Sequence, residues 1–407
     1  MGPSLYKMFE IIKKDKNTKA RLGLLTTAHG IVKTPSYVFV GTYGKFLHLK
    51  PSDLKRAEAQ LIISNTFHLW DLALEKSNTF AKTSKKTFLT NRLGVNIPTM
   101  TDSGGFQVLS LAFGDKNKVG KFMVGDIKPD ASYKRTKIRI TQKGVHFNFK
   151  GRKLFLGPEL SMKIQEKIGA DIIFAFDHIT SPLDDLKYNQ AASVLTNKWA
   201  QICIKEHTQN QVGRKNKQML FGIVQGGVYP KLRKESAKYI GSLPFDGFGI
   251  GGSYTKEQIS QMLKWVTPYL PEGKPRHLLG VGKVEDIFEA IENGIDTFDC
   301  VIPTREARHG RLYTKSGHMD IRRGAYAKDK KIIEKGCGCL TCDSKIPRSK
   351  IRELIKNESR TLNAKGQRWC LMHNMWFFDN LLKEIRTSLS KGSYHTYKKK
   401  FLKRWSR

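Results

Sequence analysis

The sequence predicts an α/β chain folded as a (β/α)8 barrel, and two observations carry that prediction. From about residue 171, short apolar runs alternate with longer stretches of helical spacing. This is the rhythm of βα units with short connections, which build a parallel sheet covered on both faces. The second observation is that polar or glycine-rich motifs close successive strand candidates: Asp102-Ser103-Gly104-Gly105, Asp177, Gln225-Gly226-Gly227, Gly251-Gly252 and Asp299. A single glycine pair is equally well explained as a tight turn. The whole series points to one shared site at the C-terminal rim of a closed sheet, since an open sheet brings fewer consecutive strands to one crevice.

Taken in order, Gln60-Leu61-Ile62-Ile63-Ser64-Asn65 and Ile97-Pro98-Thr99-Met100-Thr101-Asp102 read as two early strands. Residues from about 113 to 156 are rich in lysine and turn formers, with alternation in Lys137-Ile138-Arg139-Ile140 and Val145-His146-Phe147-Asn148-Phe149. An antiparallel hairpin insertion is expected there. The regular part opens with a strand at Asp171-Ile172-Ile173-Phe174-Ala175-Phe176-Asp177 and a helix from Leu186 to about Gln209. A strand from Met219 to Val224 follows, then a helix opened by Pro230. Gly247-Phe248-Gly249-Ile250 precedes a helix from about Lys256, and His277-Leu278-Leu279-Gly280 precedes one from about Val284 to Glu292. Asp296-Thr297-Phe298-Asp299 is the last strand candidate.

Composition bounds the function. The 407 residues carry 72 Lys plus Arg against 36 Asp plus Glu, a formal net charge of +36. Hydrophobics at 39% and aromatics at 10% suffice for a core, which excludes a disordered basic protein. No apolar run approaches the roughly 18–20 residues needed to span a bilayer as a helix, so an integral helical membrane protein is excluded. The segment from Met1 to Met8 lacks the layout of a secretory signal, and Tyr6 stands where myristoylation requires Ser or Thr. A cytoplasmic protein is expected. Basic pairs such as Lys13-Lys14, Lys85-Lys86, Arg214-Lys215 and Lys330-Lys331 are spread along the chain, as compositional drift would spread them. The final stretch, Lys398-Lys399-Lys400-Phe401-Leu402-Lys403-Arg404-Trp405-Ser406-Arg407, interleaves aromatics with cations in a pattern suited to phosphate contact and base stacking.

Cys337-Gly338-Cys339-Leu340-Thr341-Cys342 places three thiols within six residues. Thiolates completed by an imidazole are what a structural zinc prefers, and four protein ligands leave no corner for a catalytic water. Two residues compete for the fourth position, His373 and Cys370, with His373 favoured. Asp299 opens the run Asp299-Cys300-Val301-Ile302-Pro303-Thr304-Arg305-Glu306-Ala307-Arg308. A carboxylate at a strand end with two arginines close behind suits a nucleophile beside phosphate-binding cations, although taken alone it is better explained as a helix N-cap or a loop salt bridge.

These motifs, together with Phe106-Gln107, Gly222-Ile223-Val224, Gly249-Ile250 and Leu279-Gly280-Val281-Gly282, stand in an order that resembles the tRNA-guanine transglycosylase family, bacterial branch, over about residues 8 to 385. The resemblance implies a (β/α)8 barrel over 1–330, insertion included, a zinc-binding subdomain with the final barrel helix over 331–385, and a basic tail over 386–407. It implies exchange of the wobble guanine of tRNAs with a GUN anticodon for a 7-deazaguanine base. Asp299 then matches the nucleophile and Asp102 the general acid/base. Asp177, Gln225 and Gly252 match the groups that hold the base edge, Phe106 the ring that stacks on it, and Arg305 and Arg308 the anticodon-reading loop. Cys337, Cys339, Cys342 and His373 match the zinc ligands, and a homodimer is implied. Two successive displacements at the ribose carbon give retention, and the target base must leave its stack.

Departures from the family pattern are His178, where bacterial relatives usually carry Glu, and Ser253-Tyr254-Thr255 in place of a small-residue stretch beside the pocket. The incoming base stays open between 7-aminomethyl-7-deazaguanine and queuine, with Thr255 favouring the smaller substituent. Two alternatives are a family offshoot acting on DNA and a non-catalytic RNA-binding partner subunit. Retention of both Asp102 and Asp299 argues against the latter.

Overall fold

The computed structural model describes residues 8–76, 86–112, 138–181, 184–212, 217–252 and 258–405. Its chain begins with three antiparallel strands, β1 (Phe9–Lys14), β2 (Arg21–Thr27) and β3 (Gly30–Thr34). The barrel then takes up β4 (Ser36–Val40), β5 (Ile62–Ser64) and β6 (Thr99–Thr101). A second antiparallel sheet follows, β7 (Ile138–Thr141), β8 (Gly144–Phe149) and β9 (Arg152–Leu156). The remaining barrel strands are β10 (Ile172–Phe174), β11 (Met219–Val224), β12 (Gly247–Ile250), β13 (Arg276–Leu278) and β14 (Thr297–Cys300). Parallel pairing runs β10-β11-β12-β13-β14-β4-β5-β6 and returns to β10, closing the expected barrel.

The strands seen in the sequence fall where apolar runs place them, each shortened to the residues that pair. The sequence reading misses β4, and with it the three-stranded sheet ahead of it. Phe9, Leu25 and Val32 of that sheet share one buried cluster with Val38, Ile63, Met100, Ile172, Met219, Phe221 and Ile223 of the barrel interior, so the sheet plugs one mouth of the barrel. That mouth is the N-terminal one: His29 meets Asp171 just before β10 at 2.7 Å, and Arg21 meets Asp296 just before β14 at 2.6 Å. Plugging one end leaves the C-terminal rim as the open face. The insertion is present as the sheet β7-β8-β9, and its earlier part, 113–137, lies outside the described residues.

After β14 the chain forms a short helix (Ile302–Arg308), the hairpin β15 (Arg311–Thr314) and β16 (Gly317–Asp320), and a 31-residue helix, Arg360–Ser390. That long helix lies against the barrel. Phe378 packs on Tyr37 of β4 with ring centroids 4.9 Å apart, and Arg386 donates to the Pro35 carbonyl at 2.7 Å. No described helix is long and apolar enough to cross a membrane.

The basic C-terminal stretch is a packed element, since Tyr394–Trp405 is a helix lying back on the fold. Tyr394, Phe401 and Trp405 are buried, the Trp405 indole N–H donates to Glu285 at 2.6 Å, and the Tyr394 hydroxyl donates to the Phe288 carbonyl at 3.2 Å. Truncating such a large buried ring leaves a cavity as well as lost transfer energy. Trp405→Ala should therefore lower the unfolding free energy by about 3–5 kcal/mol, read from the denaturant midpoint. A change below about 1 kcal/mol would mean that the helix does not depend on its aromatic face.

Candidate active site

The C-terminal ends of the strands carry the side chains of the site. Asp102 follows β6. Its Oδ1 accepts the backbone N–H groups of Thr66 and Gly104, both at 3.0 Å, and its Oδ2 accepts from the Asn65 amide. Gly104 makes this cradle with φ +83°, a conformation disfavoured for residues with a Cβ. Burial pushes the Asp102 carboxyl up to about 7; the three donors pull it partly back, and the charge of Asp299 raises it further.

Asp177 lies just beyond β10, buried. Ser103 donates to its Oδ1 at 3.2 Å and the Gln225 amide to its Oδ2 at 2.5 Å. Burial raises it to about 6 against those two bonds. Gln225, one residue past β11, keeps a buried Oε1 with no hydrogen-bond partner among the described residues. A buried amide oxygen left unmet is an acceptor available to a ligand N–H. Gly252, past β12, has φ +88°, and a Cβ there would collide with that same Gln225 oxygen. Only glycine keeps this wall open. Beneath it the fully buried Arg233 donates to the carbonyls of Gly227 at 2.8 Å and Gly251 at 2.6 Å, tying together the ends of β11 and β12.

Asp299 is on β14, with its side chain 15% exposed. One oxygen is engaged: Oδ1 meets His277 Nε2 at 3.1 Å and accepts the Gly280 N–H at 3.3 Å. Its Oδ2 has no hydrogen-bond partner among the described residues. Phe106 is half-buried on the first turn of the helix Gly105–Ala112. Arg305 and Arg308 ride on the helix after β14, Arg305 exposed and Arg308 half-buried. The two cations repel: burial and then the Arg305 charge lower the Arg308 pKa, while burial and the Arg308 charge lower that of His48.

His178 turns to the helix Leu186–Asn210. Its Nε2 lies 2.9 Å from the Tyr188 hydroxyl and its backbone N–H donates to Thr196 Oγ1 at 3.0 Å. With Ile138, Ile140 and Leu195 these rings line a cavity of about 390 Å³ beside the insertion. Ser253-Tyr254-Thr255 lies outside the described residues.

Away from the rim, Cys337, Cys339, Cys342 and His373 are all buried, with their ligand atoms within 4.8 Å of one another. His373 Nδ1 stands 3.7, 3.4 and 3.9 Å from the three sulfurs in turn. A tetrahedral ion with bonds of roughly 2.0 Å to nitrogen and 2.3 Å to sulfur needs N to S edges of about 3.6 Å, so the set fits. The other imidazole nitrogen, Nε2, meets the Tyr313 carbonyl at 2.7 Å, which leaves Nδ1 as the ligand. Cys370, the competing fourth ligand, is buried elsewhere on the same helix and is not in the cluster.

Sequence reasoning names Asp102, Asp177, Gln225, Gly252 and Asp299, which the fold brings to one rim, and it misses Asn65, Ser103, Arg233 and His277. Ser103 lies inside a recognised motif. Arg233 and His277 read as ordinary helix and strand residues until the sheet is paired.

The family model described as "Queuine tRNA-ribosyltransferase" matches residues 15–407. The chain belongs to this family. Proteins bearing the same name include one from Shouchella clausii, 37% identical over 402 residues that cover 98% of this chain and 96% of the relative. Another, from Symbiobacterium thermophilum, is 36% identical over 98% of this chain and 91% of its own length. A third, from Herminiimonas arsenicoxydans, is 36% identical over 97% of each. Membership in the queuine tRNA-ribosyltransferase family makes the chain a pentosyltransferase, and it places the rim described above in a transferase.

The raised carboxyls have a thermodynamic signature. Asp102 rises from 3.8 to about 7 and Asp177 from 3.8 to about 6, so between those values the folded chain binds more protons than the unfolded one. Stability contributed by these groups therefore falls as pH rises from about 4 to 7. Asp102→Asn should remove its share of that slope, so that the variant melts higher than the parent at pH 8 and no higher at pH 4. Equal melting shifts at both pH values would contradict the raised carboxyl.

Proposed function

We propose that this chain is a tRNA-guanine transglycosylase that exchanges the wobble guanine of GUN-anticodon tRNAs for a 7-deazaguanine, through a covalent aspartyl-ribosyl intermediate. The observation that carries the reading is a division of labour between two carboxyl groups at one rim. Asp299 is 15% exposed with one oxygen tied and the other open, whereas Asp102 is half-buried with both oxygens hydrogen-bonded and its carboxyl pushed up to about 7. Such a pair separates nucleophile from acid and base.

In the first displacement Asp299 Oδ2 bonds to the ribose C1′ as the C1′–N9 bond breaks. The electron pair leaves with guanine, which takes a proton from the Asp102 carboxyl. The incoming 7-deazaguanine then gives its N9 proton to the Asp102 carboxylate, and its nitrogen attacks C1′ and releases Asp299. Two inversions retain the anomeric configuration. Asp177 accepts N–H groups of the base, the Gln225 amide and the Gly252 backbone meet the remainder of its edge, and Phe106 stacks on it. The base must be drawn out of the anticodon stack, at a cost of a few kcal/mol that phosphate contacts by Arg305 and Arg308 offset. The thiolates of Cys337, Cys339 and Cys342 with His373 Nδ1 hold a structural zinc, which supplies a cross-link between the segment after β16 and the long helix. Two copies in the cytoplasm act together as a homodimer.

Radiolabelled 7-deazaguanine offered with tRNA or duplex DNA should enter only tRNA with a GUN anticodon. Entry into DNA alone would overturn the reading. In the same assay Asp299→Asn should lose roughly 10³-fold or more in kcat and form no adduct on a denaturing gel. Elemental analysis should find one zinc per chain, and His373→Ala should abolish retention of the ion through dialysis while lowering the melting temperature. Full retention by that variant would remove His373 from the ligand set.

A further inference from the structure

The nucleophilic carboxylate is gripped by a histidine that the mechanism above does not use. His277 is fully buried on β13. It pairs with Thr297 across the β13–β14 ladder, which places Thr297 and Asp299 on one face of β14 beside the imidazole. Its Nδ1 lies 2.9 Å from the Thr297 hydroxyl and its Nε2 lies 3.1 Å from Asp299 Oδ1. The Phe174 ring, 5.4 Å away, walls the imidazole on the barrel interior. A threonine hydroxyl both donates and accepts, so it can donate to Nδ1 and leave the ring hydrogen on Nε2, facing the carboxylate.

We propose that His277, set by Thr297, is a positioning residue that selects Oδ2 of Asp299 as the attacking atom and stabilises the carboxylate as it is expelled. The inference rests on the reading of Asp299 as nucleophile. With Oδ1 held by the imidazole and by the Gly280 N–H, the bond to C1′ forms at Oδ2, and Oδ1 becomes the carbonyl oxygen of the aspartyl-ribosyl ester. In the second displacement the Oδ2–C1′ bond breaks, its electron pair returns to the carboxylate, and the incoming base nitrogen forms the new bond to C1′. Charge then develops on both oxygens, and a donor already aimed at Oδ1 stabilises it without reorganisation. In the first displacement the same hydrogen bond draws charge from the nucleophile. Its loss therefore retards the second step more than the first, and the covalent adduct accumulates.

The test compares His277→Leu, His277→Gln and Thr297→Val with the parent chain, with Asp299→Asn as control. The readouts are steady-state exchange and the fraction of chain trapped with tRNA on denaturing gels. His277→Leu should lose roughly 100-fold in kcat, the size of one preorganised donor, with KM for tRNA within about 3-fold and a larger trapped fraction. His277→Gln, whose amide N–H reaches about as far as Nε2, should recover roughly 10-fold of that loss. Thr297→Val keeps the ring and removes only its tautomer partner; it should lose roughly 3–10-fold with the same rise in adduct, and it serves if the leucine variant does not fold. Folded His277→Leu or Thr297→Val with unchanged kcat overturns the proposal. So does a loss of kcat with no rise in adduct and no recovery by glutamine, which is the mark of a merely structural histidine. An adduct formed by Asp299→Asn would instead defeat the nucleophile reading itself.

Discussion

The strand β14 is locked at its base by the most completely buried ion pair among the described residues, and the site depends on that lock. Asp296 takes the Arg21 guanidinium bidentately, at 2.9 and 2.6 Å, and the backbone N–H of Arg276 at 2.7 Å, while its own carbonyl receives the Ser36 N–H at 2.9 Å. Arg21 comes from the plug sheet, Arg276 from β13 and Ser36 from β4, so one residue joins the plug and both neighbours of β14. Removing either charged partner would strand the other in the interior, a loss of several kcal/mol. With a rise of roughly 3.3 Å per residue, Asp299 stands about 10 Å above the lock. From there, pairing with His277 and Leu278 on one side and Ser36 to Phe39 on the other fixes its direction.

The same chain treats its carboxyls in two opposed ways. Asp296 is matched to the Arg21 guanidinium in the core. Asp102, half-buried, and Asp177, buried, have neutral donors only, namely the Asn65 amide, two backbone N–H groups, the Ser103 hydroxyl and the Gln225 amide. Neutral donors soften the desolvation of a carboxylate without preventing its protonation. A lysine or arginine on Asp102 would instead hold its carboxyl low.

Much of this was legible in sequence because parallel strands buried on both faces leave continuous apolar runs, and because a barrel puts its polar residues at one end of each run. Met219–Val224 and Gly247–Ile250 coincide with their strands for that reason. β4 was not legible. Ser36-Tyr37-Val38-Phe39-Val40 follows directly on three antiparallel strands, with no helix before it to mark a βα unit. The metal set was legible up to its fourth ligand, since Cys370 and His373 sit one turn apart and only the packing of the long helix decides which faces the thiols. His277 could not be read at all, because its meaning lies in a cross-strand register that a sequence does not display.

The charge of +36 illustrates how one pattern serves two physical ends. Aromatics interleaved with lysines at the C-terminus suit stacking and phosphate contact, but in the folded chain the interleaving is helical amphipathicity. Tyr394, Phe401 and Trp405 face inward, and Lys399, Lys400 and Lys403 face solvent. Lys398 is tied to Glu292 at 2.6 Å, and the Arg404 guanidinium donates to the Lys315 carbonyl at 2.9 Å. Rings buried against the barrel are not free to stack on bases, so the helix offers a polyanion only its outer row of ammonium groups. Arginines at the rim differ in kind. Arg305 and Arg308 lie within a few residues of Asp299 on the element that leaves β14, where burial and then the Arg305 charge lower the Arg308 pKa. In the proposed exchange, position relative to the Asp299 carboxylate, rather than the number of cations, ties charge to chemistry.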